Sequence, residues 1–262
     1  MNFDLFLLSH QDDEIAIFKT IKESVLKKNQ ILIFYLTNGD DSKINNTELI
    51  SKRENESKKV LLKLGVSSKN IFFIGKELRI KSYKLINCLD ETYKKLSNTI
   101  RNIPSNITIY THAWEGGNLD HDTCFVIALK LMKNNENIKS AFQFPFYNSY
   151  RLPFNFYRVF YPLEINGKAT RPKISLKEKL YFIKYLFYYQ TQFKIWIGLY
   201  PFIIIKILFN KYNYLQMIDK NSKLCKPHQN QLWYEKQKFP NFDQNSLIFN
   251  SFIDKNFKNE KK

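Results

Sequence analysis

The chain has 262 residues, 44% of them hydrophobic and 16% aromatic, enough to bury a sizeable core and to exclude an intrinsically disordered protein. Its formal charge of +17 comes mostly from Lys spread along the chain, with only six Arg. Without Arg clusters, zinc-finger spacing or an RNA-binding signature, that charge argues against nucleic acid and leaves an anionic membrane or an anionic substrate open. Cys88, Cys124 and Cys225 are few, odd in number and far apart, so they imply no disulfide framework and fit a reducing compartment. No signal peptide is visible, and no window reaches the roughly 18 uninterrupted apolar residues of a membrane span.

In chain order, Phe3–Leu8 reads as a buried strand and Asp13 to Lys28 as the helix after it. Gln30–Leu36 is a second strand, ended by the turn chemistry of Thr37-Asn38-Gly39-Asp40. The spacing predicts a helix from Thr47 to Leu64 with Gly65 as its stop, a short strand at Ile71–Ile74, and a helix from Tyr83 to Ile103. A fourth strand, Ile107–Tyr110, leads through a Gly-rich loop to a helix from Asp120 to Asn134 and a fifth strand, Ser140–Phe144. Strands and helices alternating in this way predict an α/β, Rossmann-like, doubly wound and mostly parallel sheet. Beyond Pro145 the pattern changes to an aromatic-rich C-terminal extension, with a helix expected over Leu176 to Gln192 and a strongly apolar segment from Ile195 to Phe209. The expected division is a catalytic core over 1–145, an extension over 146–252 that completes the cleft, and a frayed tail over 253–262.

Two stretches concentrate the chemistry. After the first strand comes Ser9-His10-Gln11-Asp12-Asp13-Glu14, and after the fourth comes His112-Ala113-Trp114-Glu115-Gly116-Gly117-Asn118-Leu119-Asp120-His121-Asp122. Acids could simply complement the positive ends of the helices they begin. However, the first and fourth strands of such a sheet are commonly neighbours, and ligands bind beyond their carboxyl ends. Two acid–imidazole clusters would then face one cleft, as a divalent metal site requires.

The first stretch resembles the alanine-histidine-proline-aspartate-aspartate-glutamate signature of the PIG-L/LmbE-like family of zinc-dependent N-deacetylases, and the second resembles that family's second motif. The resemblance continues at Thr37-Asn38-Gly39, at Arg53 and Glu56 ahead of Leu64-Gly65-Val66, and at Tyr189-Gln190-Thr191-Gln192. A weaker echo lies at Lys226-Pro227-His228 with Leu232-Trp233-Tyr234-Glu235.

The resemblance implies that His10, Asp13 and His121 hold Zn2+ or another divalent ion, and that Asp12 is the general base for hydrolysis of an N-acyl, most simply N-acetyl, group. The substrate would be an amino sugar or glycoconjugate, lipid- or nucleotide-linked if the chain meets a membrane, and Arg53 would contact it. Asp120 would support a ligand or the base from behind. Asn118 stands where most members carry a histidine. It can hydrogen-bond an oxyanion but cannot supply a proton, so either His228 substitutes as the acid or the protein is a non-catalytic sugar- or metal-binding relative. His112 could orient a ligand or be purely structural. Asp122 reads as first-turn helix charge, and Glu14 as a complement to the helix N-terminus. The expected location is cytoplasmic, at the inner membrane surface if Ile195 to Phe209 meets lipid. The oligomeric state is not readable.

Overall fold

The structure is a computed structural model, and it describes residues 2–42, 46–103, 106–154, 156–193, 198–237 and 239–255. The N-terminal half alternates as expected: β1 (Phe3–Leu8), α1 (Phe18–Leu26), β2 (Gln30–Tyr35), α2 (Thr47–Leu64), β3 (Ile71–Phe73), α3 (Ile74–Glu77), α4 (Leu89–Ile100), β4 (Ile107–His112), α5 (Leu119–Asn134) and β5 (Ile138–Phe144). These five strands are parallel, in the order β3-β2-β1-β4-β5. Both faces of the sheet are covered. In β1, Leu5 and Leu7 pack into one apolar cluster while Phe6 and Leu8 pack into the other, the period-two pattern of a strand buried on both sides.

The C-terminal extension adds β6 (Tyr147–Asn148), β7 (Arg158–Val159), β8 (Ala169–Thr170), α6 (Leu176–Leu186), α7 (Tyr200–Leu208), β9 (Leu215–Met217), α8 (Trp233–Lys236) and α9 (Phe242–Asp254). It does not merely append to the core. β9 pairs antiparallel with β5 and β8 with β9, so the sheet has seven strands, β3-β2-β1-β4-β5-β9-β8. Strands of two or three residues carry no readable periodicity, which is why the sequence did not reveal them.

Several boundaries shift for physical reasons. The helix expected from Asp13 begins as a 3-10 turn, Asp13–Ile17, and becomes α-helical only at Phe18. The helix expected from Tyr83 begins with a 3-10 turn at Leu85 and is α-helical only from Leu89, because the backbone N–H groups of Tyr83 and Leu85 are taken by the Asp120 carboxylate. β4 runs on to His112. Gly65 stops α2 as foreseen, at φ 99°, with its N–H donating to the last-turn carbonyls. The expected helix over Leu176 to Gln192 ends at Leu186, and a separate 3-10 turn covers Gln190–Gln192. Of the tail, Ile253 and Asp254 belong to α9, Lys255 follows it, and 256–262 lie outside the described residues.

α6 is anchored to the core by Glu178, which accepts from Lys19 Nζ at 2.8 Å and from the Ser175 N–H and hydroxyl at 2.9 and 2.8 Å. Burial works against its charge, but these partners outweigh it and hold the carboxyl down at about 2. Because the folded-state value lies below the unfolded one, the contribution to stability is complete above about pH 4.5 and is lost as pH falls towards 2. Glu178→Gln should therefore lower the unfolding midpoint at pH 6, and the gap to the native chain should narrow steadily below pH 4.5. An equal gap at pH 6 and pH 2.5 would show that the anchor is not electrostatic.

Candidate active site

The carboxyl ends of β1 and β4 lie side by side, with Leu7 in register with Thr111. That adjacency brings the two polar stretches together. One ligand atom from each of His10, Asp13 and His121 lies within 4.8 Å of the others. Asp13 is oriented by its surroundings: Oδ2 accepts from the Ser9 hydroxyl at 2.8 Å and the His10 N–H at 2.6 Å, and is 2.9 Å from His112 Nε2. Its other oxygen, Oδ1, is buried without a hydrogen-bond partner and sits 3.3 Å from His121 Nε2. Burying such an oxygen unpartnered is costly. Two imidazoles and one orphaned carboxylate oxygen are a donor set that fits a divalent transition metal.

Charge in this cluster is strongly coupled. Burial pushes the Asp13 carboxyl up, but His112, His121 and His10 outweigh it and hold it well below the usual aspartate range. His121 is pushed down to about 3 by burial and by the neighbouring His112, which keeps its ring neutral as a ligand must be. Asp12 goes the other way: burial and the adjacent Asp13 charge raise it well above the ordinary value. A carboxylate so raised is a stronger base.

Asp12 also occupies an unusual backbone conformation, at φ 144°. Its N–H donates to Glu14 Oε2 at 3.2 Å, while Glu14 Oε1 accepts from the Tyr189 hydroxyl at 2.7 Å. Glu14, read from the sequence as helix-end charge, is fully buried and instead braces the strained Asp12 against the C-terminal extension. Asp122 needs the same correction. It is completely buried, and its Oδ1 accepts from the N–H groups of Glu115 and Gly116 at 3.2 and 3.1 Å. Glu115 in turn accepts from the N–H groups of Phe146 and Tyr147 at 2.7 and 3.1 Å, fixing the aromatic segment beside the metal donors. Gly117 lets that segment come close, since a Cβ there would lie 1.8 Å from the Tyr147 carbonyl oxygen.

The remaining candidates fall as follows. Asp120 accepts from the Tyr83 N–H and from Leu85 N–H at 3.1 Å, and is 3.1 Å from His10 Nε2, so it locks His10 to the Tyr83 loop. Asn118 caps α5: its Oδ1 accepts from Asp120 N–H at 2.8 Å, and its amide donates to the Tyr147 hydroxyl at 3.2 Å. Arg53 is buried and donates to the Gly39 carbonyl. Together with His10, Asp12, Asp13 and His121, Asn118 and Arg53 line one cleft of about 310 Å³. Tyr83, Tyr147, Tyr157, Leu199 and Trp233 complete its walls.

His228 does not join them. It lines a separate cavity with Tyr150, Arg151 and Glu164, because the 227–230 loop packs against the far end of the segment that begins at Tyr147. The expectation that His228 supplies the acid is therefore corrected. His112 was underrated: besides its contact with Asp13, its ring stacks on His121 with centroids 3.8 Å apart. Tyr147 and Trp233 were hidden in aromatic-rich sequence, where core packing is the ordinary explanation.

The family model of PIG-L, described as GlcNAc-PI de-N-acetylase, matches residues 5–132, a span that contains every residue of the His10–Asp13–His121 cluster. That stretch belongs to the PIG-L family. The solved structures similar to this chain include a deacetylase triple mutant, Orf2*T, of the teicoplanin biosynthetic pathway, at 13% identity and TM-score 0.60, covering 85% of this chain and 100% of that one. Teicoplanin deacetylase Orf2 has also been solved in a zinc-inhibited form. N,N'-diacetylchitobiose deacetylase from Pyrococcus horikoshii matches at 14% identity and TM-score 0.60, covering 84% of each chain. GalB, a 4-carboxy-2-hydroxymuconate hydratase from Pseudomonas putida KT2440, matches at 13% and 0.50, covering 85% and 98%. At such identities these likenesses show a common fold, and the hydratase shows that the fold alone does not fix the reaction. No curated protein sequence gives a match.

Proposed function

We propose that this PIG-L protein is a zinc-dependent hydrolase that removes an N-acetyl group from an amino sugar or glycoconjugate. The observation that carries the reading is the convergence of His10, Asp13 and His121 in a cleft that Asp12 also lines. Zinc held by those three side chains would supply a Lewis acid beside the amide carbonyl and acidify water there. Asp12, raised by burial, takes the proton of the attacking water and hands one to the leaving amine. Asn118 and Tyr147, hydrogen-bonded to each other, place an amide and a phenol where they can donate to the developing oxyanion. Arg53 contacts the sugar or an adjoining phosphate. The 146–252 extension completes the substrate cleft of the 1–145 core, a division supported by Tyr147, Tyr157, Leu199 and Trp233 among the lining residues.

The test is acetate release from a panel of N-acetylated sugars and glycoconjugates by protein loaded with one equivalent of zinc, since the zinc-inhibited relative warns against excess. Zinc at one equivalent with no acetate from any member would favour the non-catalytic binding relative that Asn118 suggests. His112→Phe keeps a ring against His121 but removes the contact to Asp13. By isothermal titration it should weaken zinc binding about 10- to 100-fold. Unchanged affinity would reduce His112 to packing.

Among the described residues no helix is long and apolar enough to cross a membrane. Of the apolar segment from Ile195 to Phe209, residues 195–197, with Lys194 before them, lie outside the described residues. The rest includes α7, which packs with α6; Phe202, Ile205 and Leu208 of α7 and Phe209 just after it are exposed, as are Leu180 of α6 and Phe187 just after that helix. Lys206 and Lys211 flank that face, and Leu199, just before α7, lines the cleft. We assign this face to an anionic bilayer surface that would present a lipid-linked sugar. The protein should sediment with phosphatidylglycerol-containing vesicles and less with pure phosphatidylcholine. Phe209→Glu should cut binding by about tenfold or more, the loss of one inserted aromatic ring. Binding indifferent to both changes would rule the surface out.

A further inference from the structure

His228 raises a separate question. It is only 7% exposed, and neither ring nitrogen meets a hydrogen-bond partner at bonding geometry, although the Asn230 backbone lies alongside. Even with the Asn230 backbone as a marginal partner for one nitrogen, the other is left unsatisfied, which is expensive in a buried imidazole unless something in its cavity completes it. That cavity, about 580 Å³, is of the size that holds small ligands. Burial and the neighbouring Lys226 hold the ring down at about 4, so at neutral pH it offers one donor and one acceptor rather than a charge.

The other walls repeat that mixture. Arg151 provides donors and lies over the Tyr150 ring, 4.9 Å from its centroid, while Glu164 provides acceptors and Leu163 an apolar floor. A neutral ligand with adjacent hydroxyls and one apolar face uses all of these groups, whereas a simple anion would leave Glu164 opposed and the imidazole acceptor idle.

The cavity is also tied to the active cleft. Ser149 Oγ donates to the Gln231 carbonyl at 2.9 Å, and Arg151 N–H to Asn230 Oδ1 at 3.0 Å. The 147–151 and 228–233 segments thus run together as one wall. Tyr147 and Trp233 face the cleft from that wall, and Tyr150 and His228 face the second cavity. Tyr147 and Tyr150 are three positions apart, a span of at most about 11 Å, the reach of one or two linked sugar rings.

We propose that the cavity between Tyr150, Glu164 and His228 is a second carbohydrate subsite that holds a sugar ring of the substrate beyond the one deacylated. The assignment rests on the amino-sugar reading above, and its test separates the two. The chain has only four histidines, so their ring signals can be followed individually by NMR. Full-length protein carrying Asp12→Asn, to prevent turnover, is titrated with N-acetylglucosamine and with N-acetylglucosamine- and mannose-containing di- and trisaccharides.

The oligosaccharides should shift the His228 ring signals, and the monosaccharide should shift those of the cleft histidines, His10 and His121, while leaving His228 unmoved. Arg151→Ala, a change at an exposed side chain, should weaken the His228 response and raise KM for an oligosaccharide about tenfold, leaving monosaccharide KM unchanged. His228 signals unmoved by every oligosaccharide, while His121 responds, would overturn the subsite and leave the hydrolase reading standing. Shifts at His228 in the variant, with no acetate released from any sugar by the zinc-loaded native chain, would keep the subsite and sink the hydrolase.

Discussion

Asp12→Asn should lower kcat on an N-acetyl amino sugar by about 10²–10⁴-fold while leaving zinc bound at one equivalent. The substitution is nearly isosteric, so the strained backbone and its bond to Glu14 should persist, and only the proton acceptor is lost. KM should change little, because Asp12 is proposed to act on the attacking water rather than on the sugar. This split separates a base from a ligand: loss of zinc along with turnover would mean that Asp12 coordinates the ion. Turnover that survives the change would move the base elsewhere in the cleft.

Asp13→Ala should have the largest effect on the molecule as a whole. Its carboxylate is the counter-charge of three imidazoles and takes hydrogen bonds from the Ser9 hydroxyl and the His10 N–H. His10 depends on it directly. Burial disfavours its charge, yet bonds to Asp120 and Asp13 outweigh that and hold its pKa up at about 10, so in the metal-free protein the ring is charged and zinc must displace that proton. Removing one partner of a buried, hydrogen-bonded ionic cluster typically costs about 3–5 kcal/mol. Denaturant unfolding of the metal-free variant should show a loss of that size, and zinc should no longer bind measurably. A stable variant that keeps its zinc would remove Asp13 from the metal site.

The metal donors were legible because two rules coincide: ligands gather at carboxyl ends of strands, and the first and fourth strands are neighbours. Topology brings the two polar stretches to one cleft, and the family resemblance is what singles out His10, Asp13 and His121 within them. Residues that work through tertiary contacts were not legible. His112 ends a strand, and nothing local distinguishes a ring that orients Asp13 from one that fills space. Glu14 and Asp122 looked like helix-end charges because the sequence gives no sign of burial, and burial is what turns each into a clamp. Tyr147 and Trp233 were lost among their aromatic neighbours. His228 was misplaced for the opposite reason, since a motif echo gave it an address that the packing of its loop denies.

The bond between Glu14 and Tyr189 spans 175 positions, and its consequence lies in the order of synthesis. All three proposed metal donors lie within the first 121 residues, so they are synthesised well ahead of the extension. The brace that fixes Asp12 arrives only with Tyr189, when most of the polypeptide exists. On the proposed reading, the unfinished chain would hold its metal with the base unset, and hydrolysis would await docking of the extension.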